Sequence, residues 1–169
     1  ILDCPMARNA SLSRSPSARS GSKARSETFA ALDLGTNNCR LLIAVRAGDS
    51  FRVIDSYSRI VRLGEGLAGS GRLSDAAMDR AVEALKNCKS KIDKYSNCKV
   101  RCITTQACRA ASNGQTFLQR VKKEAGLHLE TISPKEEAKL ALLGSFDLID
   151  DSKDFTLVVD IGGGSTELS

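Results

Sequence analysis

FTLVVDIGGGSTELS, residues 155–169, holds the most informative pattern in this chain. A short apolar run ends in Asp160, and three glycines, Gly162, Gly163 and Gly164, follow almost at once. A buried strand that ends this way delivers bare backbone to a ligand. Residues without Cβ turn sharply and let anionic oxygens reach the N–H groups, and an aspartate at the strand end can hold a cation or a water. The same letters suit a tight β-hairpin whose glycines supply positive φ, and on this stretch alone both readings stay open.

A second strand end of the same form lies near the start of the ordered sequence. ALDLGTNN, residues 31–38, again closes an apolar run with aspartate, an aliphatic residue and glycine, here Asp33, Leu34 and Gly35. The run 29–35, the run 38–45 and the run 51–63 predict three strands, with the turn cluster Ala47-Gly48-Asp49-Ser50 between the last two. Short connections make them an antiparallel meander. Next comes GEGLAGSGRLS, residues 64–74, which contains G-x-G-x-x-G as Gly64, Gly66 and Gly69. In a dinucleotide site that motif joins the first strand of a parallel unit directly to a helix. Here two hairpin-linked strands precede it and Arg72-Leu73 intervene before the next cap, so a mobile strand-to-helix loop near a cleft is the better expectation.

Ser74 reads as an N-cap with Asp75 in the first turn. Met78, Val82, Leu85, Ile92 and Tyr95 then mark one helical face, and lysines solvate the rest. A strand is predicted over 99–105, with Gln106-Ala107-Cys108-Arg109 at its end. A helix over about 113–125 stops at Gly126, and a short strand spans 127–132. Ser133-Pro134-Lys135-Glu136 is a capping box with proline at the first helical position. It gives two adjacent carboxylates different fates: Glu136 turns back to the cap, and Glu137 projects from a neighbouring angle, available for other work.

Composition bounds the partners. Hydrophobic residues are 41% and charged ones 27% of the 169 residues, ordinary globular usage, and no apolar run reaches the length that spans a bilayer. Part of the net charge of +5 sits in residues 8–25, which hold Arg8, Arg14, Arg19, Lys23 and Arg25 with no acid. That distribution argues against a specific nucleic-acid surface on the domain and suits a polyanionic substrate. Residues 1–28, rich in Ser and Arg, have too little apolar periodicity to order and are expected to form a disordered tail in which Met6 can be the start. The six cysteines include no C-x-x-C pair and meet one histidine, His128, so free thiols of a reducing compartment are expected rather than zinc, and His128 is expected to be structural. A soluble, cytoplasmic protein without membrane contact follows.

The paired loops resemble those of the acetate kinase, sugar kinase, Hsp70 and actin superfamily, whose duplicated domains close over a polyphosphate. Within it the chain is similar to the exopolyphosphatase and guanosine pentaphosphate phosphatase family. The resemblance rests on five pieces in order: DLGTNNCRLLIA, VRLGEGL, a threonine-rich strand end closing on Arg109, ISPKEEAKLALLG and DIGGGSTEL. It implies an α/β fold of the ribonuclease H-like, actin-like ATPase type, a mixed sheet that begins with an antiparallel meander and has flanking helices. That domain would occupy 29–150, and residues 151–169 would supply the first strand and phosphate loop of a truncated second domain.

The resemblance also implies roles. Glu137 would be the base that deprotonates the attacking water, with Glu136 a lesser candidate, and Arg109 a donor to phosphoryl oxygens. The backbone of Gly162, Gly163 and Gly164, with Ser165, would cradle the terminal phosphate while Thr36 and Asn37 approach from the other loop. Asp33, Asp160 and Glu167 would hold Mg²⁺ directly or through water. The implied reaction is hydrolysis of a terminal phosphoanhydride in inorganic polyphosphate or guanosine pentaphosphate, a stringent-response substrate, by a protein that is a homodimer at full length. A chain ending inside the second domain is expected to have little activity alone. A sugar or acetate kinase-like phosphotransferase and a catalytically silent binding module are the alternatives.

Overall fold

The computed structural model describes residues 27–48, 50–149, 152 and 155–168, with the side chains of Asp147 and Glu167 left aside. The expected tail over 1–28 therefore lies almost wholly outside the described residues. The expected meander is present. Strands β1 (Thr28–Leu34), β2 (Asn38–Ala47) and β3 (Ser50–Ile60) pair antiparallel in sequence order. Their alternation sorts the faces: Ala30, Leu32 and Leu34 of β1 and Cys39, Leu41 and Ile43 of β2 turn inward and are almost fully buried.

The third strand stops at Ile60, short of the expected Leu63. Arg62 turns the chain at a φ of 48°, and the N–H groups of Val61 and Arg62 both donate to the Asn37 carbonyl (2.9 and 3.0 Å). The following loop is a built turn. Gly66 and Gly71 bracket a single helical turn, α1 (Leu67–Ser70), from the left-handed region, and Leu67 and Leu73 are buried. The buried Asn113 carboxamide fixes the far end, accepting from the Leu73 N–H (2.9 Å) and donating to the Leu73 carbonyl (3.0 Å).

Ser74 caps α2 (Asp75–Ile92) by accepting from the Ala77 N–H, and the helix lays Ala77, Met78, Ala81, Val82, Leu85 and Cys88 on the sheet. Strand β4 (Lys99–Thr104) then enters beside β1 and parallel to it. At its end the expected strand-end segment is a short helix, α3 (Gln106–Ala110), so Arg109 stands on a helix. Helix α4 (Gly114–Ala125) begins where expected because Gly114 lies against α3: a Cβ there would overlap the Cys108 carbonyl. Of the expected strand over 127–132 only β5 (Glu130–Thr131) pairs, parallel to β4, although Leu127, Leu129 and Ile132 are all buried.

The sheet order is β3-β2-β1-β4-β5, with α2 and α4 packed together on one face. Because β1, β4 and β5 run parallel, their carboxyl ends share one edge. That edge delivers the Gly35–Asn37 turn, Thr105 and the start of α5 (Pro134–Gly144) to the same place. Beyond α5 and a 3₁₀ turn (Phe146–Leu148), β6 (Val159–Ile161) and β7 (Thr166–Leu168) form a separate antiparallel hairpin. No described helix is long and apolar enough to cross a membrane.

Candidate active site

The β1–β2 turn is set by its register. Asp33 pairs with Arg40 and Leu34 with Cys39, which centres the hairpin on Thr36 and Asn37. The carbonyls of Thr36 and Asn37 face the turn behind them, where Gly64, Val61 and Arg62 donate N–H groups at 2.9–3.0 Å. A trans peptide aims its N–H opposite to its carbonyl. The Asn37 N–H is thereby turned away from that support and toward the second loop, where a Cβ on Gly163 would stand 3.3 Å from the Asn37 nitrogen.

The second loop joins β6 to β7 across three paired positions and closes with Gly162 N–H donating to the Ser165 carbonyl (2.9 Å). Both readings of the stretch thus describe one object: it is a hairpin, and its glycines face the first loop. A Cβ on Gly163 would come within 3.0 Å of the Asn37 Cβ, and one on Gly164 within 2.9 Å of Thr36 Oγ1. The bare backbone of these two glycines is what lets the loops approach.

Between them lies a cavity of about 290 Å³ lined by Asp33, Gly35, Thr36, Asn37, Asn38, Arg40, Thr105, Glu137 and Asp160 through Ser165. The structure therefore gathers Asp33, Thr36, Asn37, Glu137, Asp160, Gly162, Gly163, Gly164 and Ser165 at one place. Glu136, Arg109 and Glu167 are not among its lining residues. The Glu167 backbone pairs with Asp160 in the hairpin, and its side chain lies outside the described residues.

The neighbouring glutamates separate as expected, but by another route. Ser133 accepts from the Glu136 N–H (3.2 Å), which completes one half of the capping box. The Glu136 carboxylate goes to Arg101 of β4 (3.4 Å), whose guanidinium also holds Glu130. A cation on the adjacent strand is a stronger partner than the cap N–H. Glu137, one position on, faces the cavity with its carboxylate mostly buried and is held by both terminal nitrogens of Arg109 (3.4 Å each). Arg109 also donates to the Ile132 carbonyl (2.6 Å). Placed on α3, it braces Glu137 against the body of the domain.

Asp33 is the electrostatic anomaly. Its Oδ1 is buried and lacks a hydrogen-bond partner among the described residues. Burial pushes its carboxyl above the usual range, the Arg40 guanidinium opposes the shift, and the Asp160 charge adds to it. A buried carboxylate oxygen without a donor among the described residues, lining the same cavity as the Asp160 carboxylate, fits a hard cation. Among the described residues no cluster of three or more His, Cys, Asp or Glu is assembled. Mg²⁺ does not require one, since one or two carboxylates plus substrate oxygens and water complete its shell.

Sequence reasoning missed Arg40 and Thr105 in the lining, and Gln106 behind Thr36. Arg40 was within reach, because a hairpin centred on Thr36–Asn37 must pair Asp33 with residue 40. Thr105 and Gln106 belong to a strand-to-helix junction that was read as strand. His128 is exposed in the α4–β5 connection, away from the carboxyl edge, and Cys39, Cys88, Cys102 and Cys108 are buried in the core.

Residues 42–169 match the model of the Ppx/GppA phosphatase family. A bifunctional 3-dehydroquinate synthase/phosphatase of Fusobacterium nucleatum is 37% identical over 148 residues, covering 83% of this chain and 22% of that protein. The Aquifex aeolicus PPX-GPPA enzyme superposes with a TM-score of 0.74 at 35% identity, over 84% of this chain and 47% of that one. An exopolyphosphatase from Cytophaga hutchinsonii gives 0.79 at 32%, over 84% and 46%. The chain spans less than half the length of each of these relatives. Its mixed sheet with flanking helices is the fold of the Aquifex aeolicus PPX-GPPA enzyme, and with the family match extending over most of its length, the chain belongs to the Ppx/GppA phosphatase family.

Proposed function

We propose that the cavity hydrolyses a terminal phosphoanhydride, releasing phosphate from inorganic polyphosphate, from guanosine pentaphosphate, or from both. One observation carries this reading: a mostly buried glutamate and two opposed strand-end turns, one of them glycine-rich, line the same small cavity. The terminal phosphoryl group lies between the turns, where backbone N–H groups of the second loop and the Ser165 hydroxyl meet its oxygens. Glu137 accepts the proton of a water that attacks phosphorus in line, the bridging P–O bond breaks, and the shortened chain leaves with the electron pair. Arg109 keeps the Glu137 carboxylate aimed at that water.

Arg40 offsets charge on the incoming polyanion. Asp33 and Asp160 would hold Mg²⁺, which when bound shields the phosphate oxygens and lowers the repulsion toward a carboxylate base. Substitution Glu137→Gln tests the reading. Phosphate release from both substrates should fall by about 10²–10⁴-fold with polyphosphate binding retained. Unchanged release would remove Glu137 as the base, and phosphoryl transfer to an added acceptor in place of water would replace the hydrolase by a kinase-like enzyme.

A further inference from the structure

Gln106 is the first residue of α3, directly after Thr105 at the end of β4. Its carboxamide oxygen accepts the Thr36 hydroxyl proton at 3.3 Å. That oxygen also fills the place a Cβ on Gly164 would take, with the Gln106 Cδ 3.0 Å and Thr36 Oγ1 2.9 Å from the same point. On the opposite side, a Cβ on Gly64 would overlap the Thr36 methyl, and the Gly64 N–H donates to the Thr36 carbonyl (3.0 Å). Three separate segments thus meet on one threonine.

We propose that Gln106 is a positioning residue of the phosphate cradle, whose carboxamide fixes the Thr36 side chain and sets how closely the Gly162–Ser165 turn can approach it. The proposal rests on the reading of the cavity as a phosphate site. Thr36 has two branches on Cβ, and both have partners: the methyl is seated on Gly64 and the hydroxyl is spent on Gln106. Its χ1 is therefore fixed. A hydroxyl has one proton to give, so while this bond holds Thr36 shapes the cradle and does not donate to phosphate.

Gly164 rests on the pair so formed. Gly163 beside it lies against Asn37 and β7 against α5; at Gly164 itself the carboxamide acts as a stop. The choice of amide also fits. An accepting oxygen is needed at this point, but a carboxylate there would repel a polyphosphate, whereas glutamine supplies the oxygen without the charge. Gly64, singled out by the G-x-G-x-x-G pattern, gains a role with no dinucleotide: it makes room for the Thr36 methyl.

The test compares Gln106→Ala with Gln106→Glu in the purified protein, using backbone NMR order parameters of Gly163 and Gly164 and steady-state kinetics on polyphosphate. In Q106A the stop is gone, so the order parameters should fall from about 0.85 toward 0.6, and kcat/KM should drop about tenfold, as expected for one lost positioning bond. Q106E keeps an accepting oxygen. It should restore the order parameters while raising KM for the polyanion, a split that simple misfolding does not produce. Equal order parameters in wild type and Q106A, or no rescue by Q106E, would overturn the proposal. If the full-length wild-type protein releases no phosphate from polyphosphate or guanosine pentaphosphate, the proposed hydrolase falls, and the order parameters still decide the role of Gln106.

Discussion

The two turns that face each other across the cavity both follow an Asp-aliphatic-Gly strand end and are structurally unlike. The Gly35–Asn37 turn caps a hairpin at the centre of a five-stranded sheet, with Leu32, Leu34, Cys39 and Leu41 beneath it at 2% exposure or less. The Gly162–Ser165 turn rides on a hairpin of three paired positions, where Val159 (49%), Ile161 (77%) and Leu168 (66%) are exposed. A two-stranded hairpin is marginal by itself. The first turn is therefore organised before a ligand arrives, and the second takes its position from contacts with the first and with α5. Helix α5, which carries Glu137, falls between them: none of its residues is buried, and it is tied down through Ser133, Arg101 and Arg109.

The sharpest way to break this contrast is to cut the brace between its halves. Arg109→Ala leaves Glu137 without its guanidinium and the Ile132 carbonyl without its 2.6 Å donor. Phosphate release should fall by roughly 100-fold, since a misplaced catalytic group is that costly, and a denaturant titration should show a loss of about 1–3 kcal/mol from the unpaired carbonyl. Gly114→Ala attacks the sheet side, where α4 packs on α3. The new methyl meets the Cys108 carbonyl, so stability should fall by about 1–3 kcal/mol while KM for polyphosphate is kept.

Gly163→Ala attacks the hairpin side and should give the opposite signature: KM for polyphosphate up about threefold to tenfold, with Tm held within about 2 °C. If both glycine variants moved Tm and KM together, the two turns would be one cooperative unit and the contrast would be wrong. The smallest effect belongs to Asp33→Asn. A buried carboxyl with a raised pKa favours folding in its protonated form, so its contribution is present below the ordinary carboxylate range and is lost as pH rises through the raised value. At pH 7 the variant should therefore melt about 2 °C higher than wild type, and the gain should vanish at acid pH. Mg²⁺ should raise the Tm of the wild type more than that of the variant.

Most of the sheet was legible because its signals are local. Alternation along β1 and β2, a turn cluster at 47–50 and side-chain caps at Ser74 and Ser133 each act within a few residues. The misreadings are places where tertiary contacts override them. Arg109 was placed on a strand end because CITTQAC is apolar and threonine-rich, yet Thr104 ends the strand by donating its hydroxyl to the Leu34 carbonyl on the neighbouring strand, and the chain turns into α3. Glu136 was assigned to its own cap because the motif says so, and Arg101, thirty-five residues away in sequence, takes it. Gly64 was expected in a mobile loop near a cleft, since no local rule states that a threonine methyl from another loop needs the space. The site residues at strand ends were legible for the same reason as the strands; Arg109 was singled out by resemblance without its bond to Glu137, and Gln106, which reaches across segments, was not singled out.

The Asn113 carboxamide, bonded to both the N–H and the carbonyl of Leu73, closes a ring of chain forty residues around that contains α2, β4 and α3. Seen as a closure, it is one costly long-range step that locks the turn behind Thr36 to the start of α4. Asn113→Ala would leave the ring's seam open at a buried point. Partial opening would then begin there, so a protease should first find this chain at residues 64–72, behind the cradle, well before the sheet itself gives way.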